Sequence, residues 1–423
     1  MAPRTLDQWL AWQERLHPRT IDLGLERVSR VARALGLVPA PFPVVSVAGT
    51  NGKGSTVAYL EAFLGAAGVR VGAYTSPHLL RYNERVRVRG REVSDEALVS
   101  AFEAVDGARA GISLSYFEFG TLAALHLFRE ERVEVAVLEV GLGGRLDAVN
   151  VWDADVALIT AIGLDHMEWL GPDRESIGRE KAGILRAGRP AVLTDPQPPR
   201  SVLQEAARLG VPLRRIGQAF QVIKGPAGRW TLASKECRWP DLPAPGIPGD
   251  PQYANVAGAI EALRALGLPP EREAVAAALP AVRLPGRFQR IPGRPELVLD
   301  VAHNAQACAA LAATLQASPV AGPTVALMAV MADKDPAAMA AQLHGVVDAW
   351  VVATAPGARG LEARPLAAAV AAAVSPAALD CVPELGAALD RARQRAGPEG
   401  RVVVFGSFYT VAEILRRCTA DVA

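Results

Sequence analysis

The stretch Val44-Val45-Ser46-Val47-Ala48-Gly49-Thr50-Asn51-Gly52-Lys53-Gly54-Ser55-Thr56 decides how this chain is read. A β-branched apolar run enters a glycine-rich turn, and Val57, Ala58, Tyr59, Leu60, Phe63 and Leu64 then keep an apolar face at helical spacing. The order is strand, loop, helix. Glycines let the backbone point several N–H groups inward, the helix N-terminus adds positive potential, and Lys53 brings a full charge, a combination that suits bound phosphate. A hydroxyl at the helix start, here Ser55, suits Mg²⁺. The spacing departs from G-x-x-x-x-G-K-[ST], because Gly54 separates Lys53 from Ser55 and only two residues separate Gly49 from Gly52. A glycine turn that merely caps a helix is the plainer alternative, but a lysine inside such a turn has little structural purpose.

Working outward, 423 residues that are 50% hydrophobic can bury a large core and are too many for one ordinary domain, so two are expected. A net charge of +1 suggests neither a nucleic-acid footprint nor a membrane-surface patch, and leaves room for a local basic groove that takes a small anion. Cys237, Cys308, Cys381 and Cys418 are scattered without a C-x-x-C pair and read as free thiols of a reducing compartment. No apolar core follows Arg4 and Asp7, and no run approaches a bilayer span. A soluble, cytoplasmic protein is expected, with no membrane or nucleic-acid partner.

Two helices are expected between residues 5 and 37, closed by Gly36 and the Pro39, Pro41, Pro43 run. A second strand, 69 to 74, runs into Thr75-Ser76-Pro77-His78-Leu79, a loop at the strand edge where α/β folds bind ligands. His78 on its own is an ordinary loop histidine. A charged segment, 81 to 91, and a helix, 94 to 105, follow, and Ser115-Tyr116-Phe117-Glu118 opens a long helix whose first-turn carboxylate, Glu118, suits the helix dipole as well as it suits a ligand. Residues 133 to 140 read as a strand buried on both faces, and Glu139 near its end needs a charged or metal partner. Gly141-Leu142-Gly143-Gly144-Arg145-Leu146-Asp147 then makes a second glycine loop. Past the strand 155 to 160, Asp165 and His166 are expected to converge with the earlier loops; a carboxylate set favours Mg²⁺, whereas an imidazole favours Mn²⁺. Lys181 taken alone reads as a surface helical lysine, and Asn255 as a helix cap or ligand contact.

Downstream, 190 to 194 reads as a strand, 201 to 209 as a helix, 216 to 239 as β-rich and 240 to 251 as a loop. From about Leu284-Pro285-Gly286-Arg287, strands at 297–301, 324–330, 347–353 and 401–405 alternate with alanine-rich helices, which predicts a smaller parallel α/β domain.

Taken together, these segments resemble the folylpolyglutamate synthase/dihydrofolate synthase family of the Mur ligase superfamily. The resemblance rests on D-L-G-L-E-R at 22–27, GTNGKGS at 49–55, TSPHL at 75–79, SYFE at 115–118, LEVGLGGRLDAVN at 138–150, GLDH at 163–166, KAGI at 181–184, PGR at 285–287 and DVAHN at 300–304. It implies an α/β fold with an N-terminal phosphate-loop, parallel-sheet ATPase domain, residues 1–283, and a smaller Rossmann-like C-terminal glutamate-ligase domain, residues 284–423. It also implies ATP-dependent amide formation: ATP phosphorylates a folate or dihydropteroate carboxylate, and the amine of L-glutamate displaces phosphate.

By the same resemblance, Gly49, Thr50, Asn51, Gly52, Lys53, Gly54 and Ser55 hold the phosphates, and Ser55 with Glu139 holds one Mg²⁺. His166 serves a second metal site, where Mn²⁺ is an alternative, and Lys181 is carbamylated and helps to bind metal. Asn255, Arg287 and Asp300 contact ATP, Asp300 and His303 complete the catalytic site with Lys53 and Lys181 through domain closure, and Thr75, Ser76, Pro77, His78, Phe117 and Glu118 border the pterin-bearing substrate. A monomer is expected. Rival readings are a monofunctional dihydrofolate synthase, a Mur-type cell-wall ligase, which the TSPHL and DVAHN segments disfavour, and a regulatory ATPase.

Overall fold

The computed structural model describes residues 4–19, 21–375 and 378–420. The run that opens the reading above becomes β1, Val44–Ala48, with every residue buried. It is buried because it has parallel neighbours on both edges, β5 (Val135–Glu139) and β6 (Val156–Ile159). Such a strand needs apolar residues on both faces, which explains why it reads as a run and not an alternation.

The sheet around it has eight strands in the order β4-β3-β2-β5-β1-β6-β7-β8. Here β2 is Val71–Tyr74, β3 Val86–Val88, β4 Arg91–Glu92, β7 Ala191–Leu193 and β8 Leu213–Arg215. The strands from β2 to β8 in this order are parallel, while β3 and β4 add antiparallel at the other edge. From β1 the chain crosses to β2 on one side and later returns to β6 on the other, so the strand order switches beside β1. The crevice outside the carboxyl ends at such a point is where open α/β sheets place ligands.

The helix Lys53–Ala66 follows β1 and packs on β1, β2 and β5. The helix Tyr116–Glu130 starts where its sequence says, with Ser115 closing a capping box with Glu118. The segment 81 to 91, read only as charged, contains β3 and β4. Its strand signal is hidden because Arg87, between Val86 and Val88, turns a charge inward and pairs with Glu61 at 2.9 Å. A three-stranded antiparallel sheet, β9 (Phe220–Lys224), β10 (Trp230–Ser234) and β11 (Arg238–Leu242), accounts for the β-rich region. β11 runs three residues into the expected loop, and Pro240 is tolerated there because the strand is at a sheet edge.

By internal contacts the chain divides into two compact units. The first is Met1–Ile162, Met167–Gly246 and Tyr253–Val282; the second is Gly163–His166, Ile247–Gln252 and Arg283–Ala423. The second unit carries a six-stranded sheet in the order β12-β13-β17-β14-β15-β16. These strands are β12 Gln289–Ile291, β13 Glu296–Leu299, β14 Thr324–Met328, β15 Ala349–Val352, β16 Leu379–Cys381 and β17 Arg401–Phe405. All pair in parallel except β12 with β13. The two edge strands escape the sequence reading because each is three residues long and lacks an apolar run.

Trp350 on β15 is 2% exposed and meets Phe405 edge-on, with ring centroids 6.4 Å apart. Trp350→Ala is expected to destabilise the second unit by about 3–5 kcal/mol; urea denaturation followed by circular dichroism checks this through the midpoint of that unit's transition.

Candidate active site

In the first unit, Gly49 ends β1 at φ +151°, and a Cβ there would lie 1.8 Å from Thr160 Oγ1. Only glycine allows this approach. The Thr160 hydroxyl donates to the Asn51 carbonyl at 2.8 Å, and Thr50 N–H donates to the Ala161 carbonyl at 2.8 Å, so the loop is fastened to the end of β6. Gly52 caps the following helix at φ +96°, and a Cβ on it would sit 2.8 Å from Asn255 Oδ1. Asn255, buried in the helix Pro251–Ala265, is thereby brought over the loop from a distant part of the chain. Ser55 is buried in the first turn of the helix Lys53–Ala66.

Two lysines meet at one carbonyl. Lys53 Nζ donates to Gly49 O at 3.1 Å and to Thr50 O at 3.2 Å, and Lys181 Nζ donates to Gly49 O at 2.9 Å. Lys181 is 4% exposed, which corrects its bare reading as a surface lysine: the last turn of the helix Arg174–Ala182 turns it inward. Glu139 closes β5 and is 5% exposed, with Oε2 accepting from Ser76 N–H at 3.1 Å.

The loop after β2 lies beside it. Thr75 N–H donates to the Arg85 carbonyl at 2.9 Å, His78 Nδ1 accepts from Arg85 Nε at 2.8 Å, and Pro77 is exposed. The Phe117 ring lies so close to Gly141 that a Cβ on that glycine would be 2.7 Å from it. Glu118 stands in the first turn of its helix, where it closes a capping box. Its Oε2 accepts from Ser115 N–H at 2.8 Å, and its Oε1 pairs with Arg27 at 3.1 Å.

Asp147, absent from the expected site residues, is buried in the glycine loop that follows β5. It accepts from Leu142 N–H at 2.8 Å and Val149 N–H at 3.0 Å. Burial pushes its carboxyl up to about 6 against the opposing pull of these amides and of the Lys53 charge. A carboxylate in a loop beside buried apolar segments was the available signal.

In the second unit, Asp300 follows β13 and accepts from Phe288 N–H and Ala302 N–H, both at 2.8 Å. Burial raises its carboxyl against the opposing charge of Arg287. The Arg287 guanidinium lies over the Phe408 ring at 5.1 Å. His303 Nδ1–H donates to the Val301 carbonyl at 2.8 Å, and its Nε2 is 3.2 Å from Asp165 Oδ2.

Asp165 has its carboxylate surrounded within the second unit. Lys334 Nζ lies 2.7 Å from Oδ1, and Asn304 Nδ2 donates to Oδ2 at 3.1 Å. Burial opposes ionisation, yet the His303 hydrogen bond and the charges of His303, His166 and Lys334 outweigh it and hold the carboxyl well below the usual range. His166 adopts φ +50° beside it. Lys334 was missed because Met-Ala-Asp-Lys-Asp carries no glycine motif; its place just beyond β14 was the signal.

Among the described residues, no group of three or more His, Cys, Asp or Glu side chains has a metal-holding arrangement. The expected metal set contains only two such residues, Glu139 and His166, and draws the rest from Ser55 and Lys181.

A phosphate-type loop at the switch point of one sheet, with a second parallel α/β unit, defines a Mur-type ligase: residues 47–218 match the Mur ligase middle domain and residues 286–408 the Mur ligase glutamate ligase domain. The chain is 45% identical to the dihydrofolate synthase/folylpolyglutamate synthase of Escherichia coli K12, over 98% of this chain and 96% of that one. The structure of E. coli FolC in complex with DHPP and ADP superposes with a TM-score of 0.94 at 44% identity, covering 100% of both chains. A bifunctional folylpolyglutamate synthase/dihydrofolate synthase with Mn, AMPPNP and L-glutamate bound gives a TM-score of 0.90 at 44% identity, covering 99% of each. The chain belongs to the folylpolyglutamate synthase/dihydrofolate synthase family.

The raised carboxyl of Asp147 has a measurable consequence. Because its folded value lies above that of an unfolded carboxyl, its contribution to stability is fully present below about pH 4 and is lost as pH rises through about 6. Relative to Asp147→Asn, the wild-type thermal midpoint is expected to fall across this window, which differential scanning calorimetry at stepped pH checks.

Proposed function

We propose that the glycine loop, Lys53, Lys181 and Glu139 of the first unit, with Arg287, Asp300 and His303 of the second, carry the ATP-dependent addition of L-glutamate to a folate. The observation that carries the residue assignment is the meeting of two lysine amines on the Gly49 carbonyl, at the switch point of the sheet and next to the loop bonded to Glu139. The acceptor carboxylate oxygen attacks the γ-phosphorus of ATP as the bond to ADP breaks. The glutamate amine then attacks the acyl carbon, phosphate leaves and the nitrogen loses a proton. A carboxylate is a poor electrophile, so phosphorylation supplies the leaving group that amide formation needs.

The chain mainly positions groups and balances charge. The loop N–H groups and the N-terminus of the helix Lys53–Ala66 receive phosphate oxygens, and Lys53 offsets the charge that grows there. Asn255, lying over Gly52, and Arg287 with Asp300 contact the nucleotide. The Ser55 hydroxyl and the Glu139 carboxylate are hard oxygen donors that fit a divalent cation, with His166 serving a second site where Mn²⁺ also fits. That cation, when bound, screens the phosphates and polarises the γ-phosphoryl group. Thr75, Ser76, Pro77, His78 and Phe117 border the acceptor. Residues 1–283 are proposed as the ATP-binding part and residues 284–423 as the glutamate-ligase part.

Lys181 is proposed to be carbamylated: its neutral amine forms an N–C bond with CO₂ and releases a proton, giving a carboxylate-like group toward the metal. Its burial and its place on the same carbonyl as Lys53, beside the glycine loop, support this. Dihydropteroate is proposed as a further acceptor, in keeping with the bifunctional relatives. No helix among the described residues is long and apolar enough to cross a membrane; a cytoplasmic monomer is proposed on the family resemblance.

Incorporation of labelled glutamate, measured with ATP and a reduced folate monoglutamate and in parallel with dihydropteroate, is expected with both acceptors. Lack of product from either, with ATP still bound, would overturn the reading. Lys53→Ala and Glu139→Ala are each expected to lower turnover by roughly 10²–10³-fold while keeping the wild-type circular dichroism spectrum. Lys181→Ala is expected to be equally impaired and to regain part of its activity when short-chain carboxylic acids are added. Full activity without them would remove Lys181 from the site.

A further inference from the structure

Arg85 has no part in the assignments above, yet its side chain is built into the acceptor border. Its Nε donates to His78 Nδ1 at 2.8 Å, and its guanidinium lies over two rings, 5.3 Å from the Tyr82 centroid and 5.5 Å from that of Tyr116. Its carbonyl accepts from Thr75 N–H at 2.9 Å, and the next residue, Ser76, donates its own N–H to Glu139 at 3.1 Å. The backbone of Arg85 is therefore tied one residue from the amide bonded to the proposed metal carboxylate, and its guanidinium two residues beyond that amide, at His78.

What this arginine lacks is an anion. Among the described residues no carboxylate forms an ion pair with it, and its two terminal nitrogens donate no hydrogen bond. The surrounding charges are matched elsewhere. Arg87 pairs with Glu61 at 2.9 Å, Arg81 with Asp95 at 3.0 Å, and Arg27 with Asp22 at 2.7 Å and Glu118 at 3.1 Å. The nearest carboxylate in sequence, Glu84, accepts from the N–H groups of Leu79, Leu80 and Arg81. A half-buried guanidinium fixed at Nε, with its terminal fork unused, matches a carboxylate in a two-pronged geometry.

We propose that Arg85 binds the non-reacting α-carboxylate of a glutamate-bearing acceptor, and so favours acceptors that already end in a glutamyl residue. The proposal rests on the functional reading above. A terminal glutamyl group carries two carboxylates. One must reach the phosphates near Lys53, and the other, drawn from water beside it, needs a cation of its own. Tyr82 and Tyr116 hold the guanidinium flat without neutralising it.

The test compares two acceptors, a reduced folate monoglutamate and its α-carboxamide, which keeps the reacting γ-carboxylate and loses only the charge in question. Steady-state glutamate incorporation gives KM for each. In the wild type, the carboxamide is expected to raise KM by about tenfold or more, and in Arg85→Gln the ratio of the two KM values is expected to fall to within about twofold. Arg85→Lys, which keeps charge and loses the fork, is expected to fall between them. Arg85→Met keeps the stem on the tyrosine rings and gives the same comparison should the glutamine variant fail to fold. A wild type indifferent to the carboxamide, or an unchanged ratio in the folded variants, would overturn the role of Arg85. Absence of incorporation by the wild type with either acceptor would instead overturn the functional reading itself.

Discussion

The approach of Gly49 to Thr160 is the constraint on which the first unit's site depends. A side chain at residue 49 would meet the threonine hydroxyl at 1.8 Å, so the end of β1 can lie against the end of β6 only with glycine there. That contact aims the Gly49 carbonyl at Lys53 and Lys181, fastens Asn51 to β6 and starts the helix from Gly52. The strain of a positive φ is concentrated where the phosphates are proposed to sit, a common place for it in functional loops.

The fold holds its buried carboxylates by two different devices. Glu139 ends a strand buried on both faces, so the sheet delivers it to the crevice by length alone. Asp147 and Asp165 are held by their surroundings and are pushed in opposite directions. Asp147 has backbone amides and one nearby lysine, and burial prevails; Asp165 has two histidines and a lysine, and charge prevails.

The acceptor border shows a third device, the ordering of polar groups by aromatic packing. Phe117 rests against Gly141 and Tyr74, and Arg85 rests on Tyr82 and Tyr116, so the proposed acceptor border combines ring faces with a guanidinium. Glu118, by contrast, is occupied with Arg27 and its own helix cap, and it serves the border by fixing where the helix begins.

The sequence by itself determined the local order of the site. The β1 run, the glycine loop and the apolar helical face are short-range patterns, and the strand-end loops TSPHL, LGGRLD and DVAHN stand where β-runs stop, so the α/β class and the places of these loops were legible. The alternating second unit was legible for the same reason. Only the tertiary structure decided what depends on distant partners. Lys181 reads as a surface residue until the fold turns it onto a carbonyl 132 positions away in sequence. Asp165 reads as a loop carboxylate past a strand until Lys334, His303 and Asn304 are brought to it. The short edge strands β12 and β16 have too few residues to show a period, and Arg85 shows its unused fork only once every neighbouring carboxylate has been placed. Periodicity and turn chemistry are written over a few residues, whereas burial and charge pairing are properties of the assembled chain.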